Sequence, residues 1–347
     1  MSWFGRRSEG PTADDQRRQE QSRRQIEAGG LPVAAEERLR ALAATHGGLF
    51  TSDLSVNEFA LLRGRDIKPI TQVMGSSIFQ HGWQNMPYDT WYGYNRGRRR
   101  TTFGGMGSFG SLGAGSWGYS GDGDAWTREL TYLSDAYNGA RTRALDRLRA
   151  EAELAGADAV VGVHVNRGGH DFAGEDTVEF TAVGTAVRLP AELQTGRVVI
   201  TDLSGQDYIN LAAAGYRPIG VVGMTTVMYV ASSASQSWVL SSGNSFFSVA
   251  GRANQELRDF TQGFYEAREV AMSHLNIQAQ RLGAHGIVGV SIDQHMRERE
   301  YEDANENSHH DLVVFIHLLG TGITEGHAPL RRPQVTTVIR LGSTPPS

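Results

Sequence analysis

Leu154-Ala155-Gly156-Ala157-Asp158-Ala159-Val160-Val161-Gly162-Val163 returns later in the chain as Arg281-Leu282-Gly283-Ala284-His285-Gly286-Ile287-Val288-Gly289-Val290. In each stretch a glycine–alanine turn precedes a β-branched run that is broken by one glycine. Gly156 and Gly283 stand where a helix would stop, because glycine takes the left-handed position after a helix without a Cβ penalty. The chain then enters a buried strand, Ala159 to Val165 or Ile287 to Ile292. A glycine inside such a strand, Gly162 or Gly289, points to close approach of another backbone.

The likeness extends on both sides. Upstream, Asp53-Leu54-Ser55 matches Asp202-Leu203-Ser204, Glu58-Phe59 matches Asp207-Tyr208, and Pro69-Ile70 matches Pro218-Ile219. Val73 then meets Val222, and Ser76-Ser77 meets Thr225-Thr226. Ile67–Ile78 and Tyr216–Val230 are rich in β-branched residues and are expected to be strands. Downstream of these, Glu129-Leu130 matches Glu256-Leu257 and Ala140-Arg141 matches Ala267-Arg268. Gly184-Thr185 matches Gly320-Thr321, each after an alternating apolar strand. Blocks in one order, repeated at roughly 130–150 residues, indicate duplicated domains rather than a solenoid.

Each copy carries one long amphipathic helix. Leu130, Leu133, Tyr137, Ala140, Ala144, Leu148 and Ala152 recur at helical spacing, as do Leu257, Phe260, Phe264, Ala267, Ala271, Leu275 and Ala279. The recurring Asp53/Asp202 and Glu58/Asp207 are expected to be turn and helix-cap residues, since Asp-Leu-Ser followed by an acid is capping chemistry. The expected fold is α+β: two tandem modules, each strand–strand–helix–strand–strand, with one long helix on a small sheet. The expected boundaries are 1–47, a polar arm with a short helix around Ala35, Leu39, Leu42 and Ala43; 48–190, the first module; 198–323, the second; and 324–347, a tail able to add an edge strand through Val335, Thr337, Ile339 and Leu341.

At these motifs, with Phe180-Thr181-Ala182-Val183-Gly184-Thr185-Ala186-Val187 and Leu319-Gly320-Thr321-Gly322, the chain resembles the YbjQ-like family of small bacterial proteins, labelled heavy-metal-binding. The resemblance implies a pentameric ring of α+β subunits and no established reaction. A closed ring of five modules cannot be filled by two-module chains, so the expectation is five chains forming two stacked rings, one module type in each. Gly162, Gly289, Gly184 and Gly320 are the expected assembly positions, where small residues permit close approach.

Composition narrows the function. With 39% hydrophobic and 20% charged residues the chain can build a real core. A net charge of -5 favours neither nucleic acid nor membranes. No cysteine is present, which removes disulfides, thiolate metal sites and cysteine nucleophiles. No export signal or spanning run is expected, which places the protein in the cytoplasm. Glycine runs such as Gly104-Gly105-Met106-Gly107 neither follow a strand nor open a helix, and no Walker lysine follows. Lys68, beside Pro69, is expected to be a surface charge. An enzyme is therefore not expected.

Two segments could carry binding chemistry. The insertion 79–124 mixes glycine with aromatics and arginines, among them Trp91, Tyr94, Arg98, Arg99 and Arg100. Such a segment can stack on single-stranded nucleic acid or engage a protein, although a charge run is more often a solvated surface. The second hairpin, its polar loop expected around Arg297–Ser308, offers Asp293, His295, His309, His310 and Asp311. Asp293 and His295 lie two apart, on one strand face, and the partner strand could bring His310 opposite. Imidazole with carboxylate would suit a divalent transition metal such as zinc, nickel or copper. Against this, the first copy does not repeat the pattern: Ser291 stands where the first copy has His164, and a polar hairpin exposed to water is the alternative.

Overall fold

The computed structural model describes residues 12–44, 50–80, 126–168, 177–233, 235–236, 240, 255–302 and 308–326. The short helices begin where capping chemistry places them. Ser55 opens α3 (Val56–Arg63) with a full capping box: its hydroxyl accepts from the Glu58 N–H, and Glu58 accepts from the Ser55 N–H. Ser204 caps the second copy's helix by accepting from the Asp207 N–H. Each such pairing satisfies an N–H that the helix itself cannot.

The arm is helical. It forms α1 (Ala13–Glu27), which buries none of its residues, and α2 (Val33–Ala44). Leu39 on α2 is fully buried, and Arg38 grips the buried Glu151 carboxylate at 2.9 Å to each oxygen. The first module continues with β1 (Lys68–Gln80), β2 (Trp126–Glu129), the long helix α4 (Thr131–Leu154), β3 (Ala159–Gly168) and β4 (Thr177–Arg188). The second has β5 (Val199–Ile200), α5 (Gly205–Ala213), β6 (Tyr216–Ala231), the long helix α6 (Arg258–Arg281), β7 (Gly286–Glu302) and β8 (Ser308–Glu325).

Two boundaries differ from expectation. Phe79 and Gln80, assigned to the insertion, continue β1 opposite Val178 and Thr177. The remainder of the insertion, with Trp91, Tyr94 and Arg98–Arg100, lies outside the described residues, as does most of the tail. Arg297–Glu302, expected in a loop, prolong β7 opposite Ser308–Val313. Alternating charges there read as loop, but an outer strand tolerates them.

The sheets are β1-β4-β3-β5 and β2-β6-β8-β7. Each takes three strands from one module and its fourth from the other. Thus β5, the leading strand of the second module, runs parallel to β3, while β2 of the first module pairs antiparallel with β6. The two strands ahead of α4 therefore belong to different sheets. Unlike modules are thus direct neighbours within one chain.

The exchange follows from a shared core. The α4 stripe read from the sequence is buried throughout. Around Tyr137 it meets Phe180 of its own sheet at 6.1 Å and Phe315 of the other at 5.6 Å. At about 1.5–3 kcal/mol per large buried apolar side chain, this joint holds the modules together. Gly156 and Gly283 end the long helices at φ 68° and 77°, as their sequence position requires. Gly162 and Gly289 take φ 63° and 67° at a β-bulge in each copy.

Candidate functional site

The long helix α4 brings polar groups to the joint as well as apolar ones. Arg141 is 4% exposed and donates to Thr225 Oγ1 at 3.0 Å, to Asn138 Oδ1 at 2.7 Å and to the Gly223 carbonyl. Burial lowers its pKa to about 10, so it stays charged at neutral pH. Because a guanidinium only donates, the Thr225 hydroxyl proton can turn to His317 Nδ1, 3.0 Å away.

His317 opens onto a cluster where β3 meets β7. Its ring stacks with His295 at 5.5 Å and 5°, and His295 stacks on Phe315 at 4.1 Å. Arg167 reaches over from the end of β3 to Asp293 at 3.4 Å, and Arg297 lies 5.6 Å from the centre of the Phe315 ring. His295 Nδ1, His317 Nε2 and Arg167 Nη1 are buried with no hydrogen-bond partner among the described residues. Burial first, then Arg167 and Arg297, lower the His295 pKa to about 4, against the opposing pull of Asp293. Burial, with Arg167, His295 and Arg141, holds His317 lower still. Both imidazoles are neutral at pH 7.

This neutrality predicts a pH dependence. The unfolded chain takes up protons near the ordinary histidine value of 6.5, the folded chain only near 4. Stability is thus full at neutral pH and falls as pH drops from 6.5 toward 4. Urea unfolding of the wild type should weaken across that window, and a His295→Phe/His317→Phe double variant should weaken less. Equal pH slopes in the two proteins would refute the assignment.

The five candidate ligands do not converge. His295 and Asp293 enter the cluster, but the residue opposite Asp293 is His317, not His310. His310 sits further along, 2.8 Å from Glu298. Asp311, unlike His310, is on the β8 face of Phe315 and His317 but lies well short of them along the strand, buried and accepting from the Tyr229 hydroxyl and from Ser232 N at 3.0 Å. His309 pairs with Tyr301 in the register, and its side chain is not among those described. Parallel rings 5.5 Å apart hold their lone pairs in parallel planes, whereas one ion needs two nitrogens within about 2.1 Å of it. The two arginines also repel a cation. Among the described residues no three His, Asp or Glu side chains are grouped to hold a metal, so the residues present do not fit the heavy-metal label. As arranged, the cluster suits an anionic or neutral polar group better.

The assembly glycines divide. Gly162 lies at the module joint, where its N–H donates to the Leu203 carbonyl at 2.8 Å. A Cβ on Gly184 would come within 2.8 Å of Val160 and Val163 across its own bulge, and one on Gly320 within 3.1 Å of Ile287 and Val290. These two serve packing inside a module. Sequence reasoning passed over Arg167, Arg141 and His317. His317 carried a signal, as the one polar side chain within the apolar run Leu312–Leu319.

A family model of the YbjQ type, described as "Putative heavy-metal-binding", matches residues 126–190 and 213–321. The encapsulin nanocompartment protein Rv1762c of Mycobacterium tuberculosis (strain ATCC 25618 / H37Rv) is 34% identical over 270 residues, covering 76% of this chain and 84% of the relative. No solved structure matches. No described helix is long and apolar enough to cross a membrane.

Proposed function

The chain belongs to the YbjQ-like family, and on that basis we propose that it is a non-catalytic, homo-oligomeric scaffold or binding protein. One observation supports this above others: each sheet is completed by a strand from the neighbouring module. A module that lends one edge strand and borrows another is built to stand in a row of its own kind. The functional units are residues 48–190 and 198–323, with 1–47 as an arm and 324–347 as a tail. Five chains is the number that the family resemblance implies.

The relative's name adds a second reading, that this chain too resides with an encapsulin nanocompartment. A polar-lined joint with neutral imidazoles and two arginines would then be its binding site for a small anionic group.

Sedimentation of the native protein with light scattering tests both readings. An assembly of several copies supports the scaffold, and co-sedimentation with shell-sized particles supports the nanocompartment. A stable 37.8 kDa monomer overturns the scaffold reading.

A further inference from the structure

The duplication makes one contact inside the chain and leaves its counterpart open. In the contact that is made, Val199–Leu203 run along β3. Val199 N–H donates to Asp158 O at 3.1 Å, Thr201 N–H to Val160 O at 2.9 Å, and Val163 N–H to Thr201 O at 3.1 Å. Val163 is 1% exposed beneath this cover, and Val165 packs against the core.

By the repeat, the partners of that contact correspond to Phe50–Leu54 and to β7. Among the described residues no strand pairs with either on its open side. Phe50 is 41% exposed, and β7 is the outer strand of its sheet. Val290 and Ile292, which match Val163 and Val165, are 37% and 47% exposed. The same positions are thus core in one module and surface in the other.

A second element repeats the pattern independently. Ser134, Asn138 and Arg141 of α4 bond to β6 of the second module, and Val227 beside them is fully buried. Their matches on α6 are Thr261, Tyr265 and Arg268. Tyr265 is 62% exposed and the Arg268 side chain 43%. The β1 residues matching Gly223 and Val227 are Met74 and Ile78, and these are 49% and 56% exposed. Among the described residues the strand that caps β6, β2, has no counterpart on β1, which is the outer strand of the first sheet.

We infer that a second copy of this chain fills the vacancy: its Phe50–Leu54 adds to β7 as a parallel strand, and its Met74–Ile78 face seats on the Tyr265 face of α6. Both halves of the contact reproduce the geometry already present between the modules, so one operator relates every module to the next. The contact is heterologous, running head to tail, and it either closes a ring of whole chains or continues as a filament. Open sheet edges invite this kind of strand addition. The inference rests on the scaffold reading and supplies its interface.

The absence of cysteine makes the test clean. Ile200 pairs with Val160, so Thr51 of one copy should face Ile287 of the next. Neighbouring strands lie about 4.8 Å apart, within disulfide reach. Thr51→Cys chains mixed with Ile287→Cys chains and oxidised should give a mixed two-chain product well above either homodimer. Ile292→Glu changes a side chain that is surface in the single chain, so it should keep the wild-type melting temperature and weaken association at least tenfold. A wild-type assembly that yields no mixed product, or an Ile292→Glu variant of wild-type mass, overturns this interface and leaves the scaffold standing. A monomeric wild type overturns both.

Discussion

Gly75→Val should cost the protein its fold. A Cβ at this position would lie 2.0 Å from the Ala144 carbonyl oxygen and 2.5 Å from the Leu148 nitrogen, both backbone atoms of α4. Flexible side chains can give way to an intruding methyl, but a helix backbone cannot without moving the whole helix. Over-packing of an ordinary core costs about 1–3 kcal/mol, and here the expected loss exceeds roughly 4 kcal/mol because α4 must lift from β1. The second copy carries Met224 at the matching strand position and places its small residue on the helix instead, at Gly263, where a Cβ would meet Val230 at 2.5 Å. Each module thus sets helix against sheet through one glycine, on opposite partners. Gly139→Ala is the control, since a Cβ there meets nothing and alanine is the better helix former. Thermal unfolding should show Gly75→Val melting roughly 10 °C or more below wild type, or not folding, with Gly139→Ala at or slightly above it. A Gly75→Val protein of wild-type stability would disprove the close seating of α4.

Arg141→Ala should uncouple the modules. The side chain fills buried space at the joint and donates to Gly223, Thr225 and Asn138. Its removal leaves a cavity and strips buried acceptors of their donor. Cavity and unmet acceptors together give an expected loss of about 3–5 kcal/mol. The readout that separates this from general destabilisation is cooperativity: two modules unfolding as one in the wild type should unfold in two steps in the variant. Arg141→Lys keeps the charge but not the planar fork, and should recover only part of the coupling. A single, unshifted transition in Arg141→Ala would show that Arg141 does not join the modules.

Local signals were legible in the sequence where the physics is local. Ser55 and Ser204 announce helix starts because a side-chain oxygen three residues from an N–H needs no distant partner. Gly156 and Gly283 announce helix ends because the left-handed turn is a property of one residue. The helix stripes from Leu130 and Leu257 declare a buried face by period alone. The hairpin site was not legible in this way. Pairing His310 with Asp293 assumed a long loop from Arg297, but the strands continue to Glu302, and this register sets His317 opposite Asp293. A hairpin's register depends on where its turn falls and on the bulge at Val288/Ser291, and residue types in a charged strand mark neither.

What the amino-acid order determined unaided is that the chain holds one α+β unit twice, since caps, periods and turn glycines act over a few residues and recur in step. Only the tertiary structure decided that β2 and β5 change sheets, that Arg141 and His317 meet, and that equivalent valines and isoleucines are buried in one module and bare in the other. Those outcomes depend on which distant surfaces come together, and equivalent local sequences acquire different fates when just one of them has a neighbour.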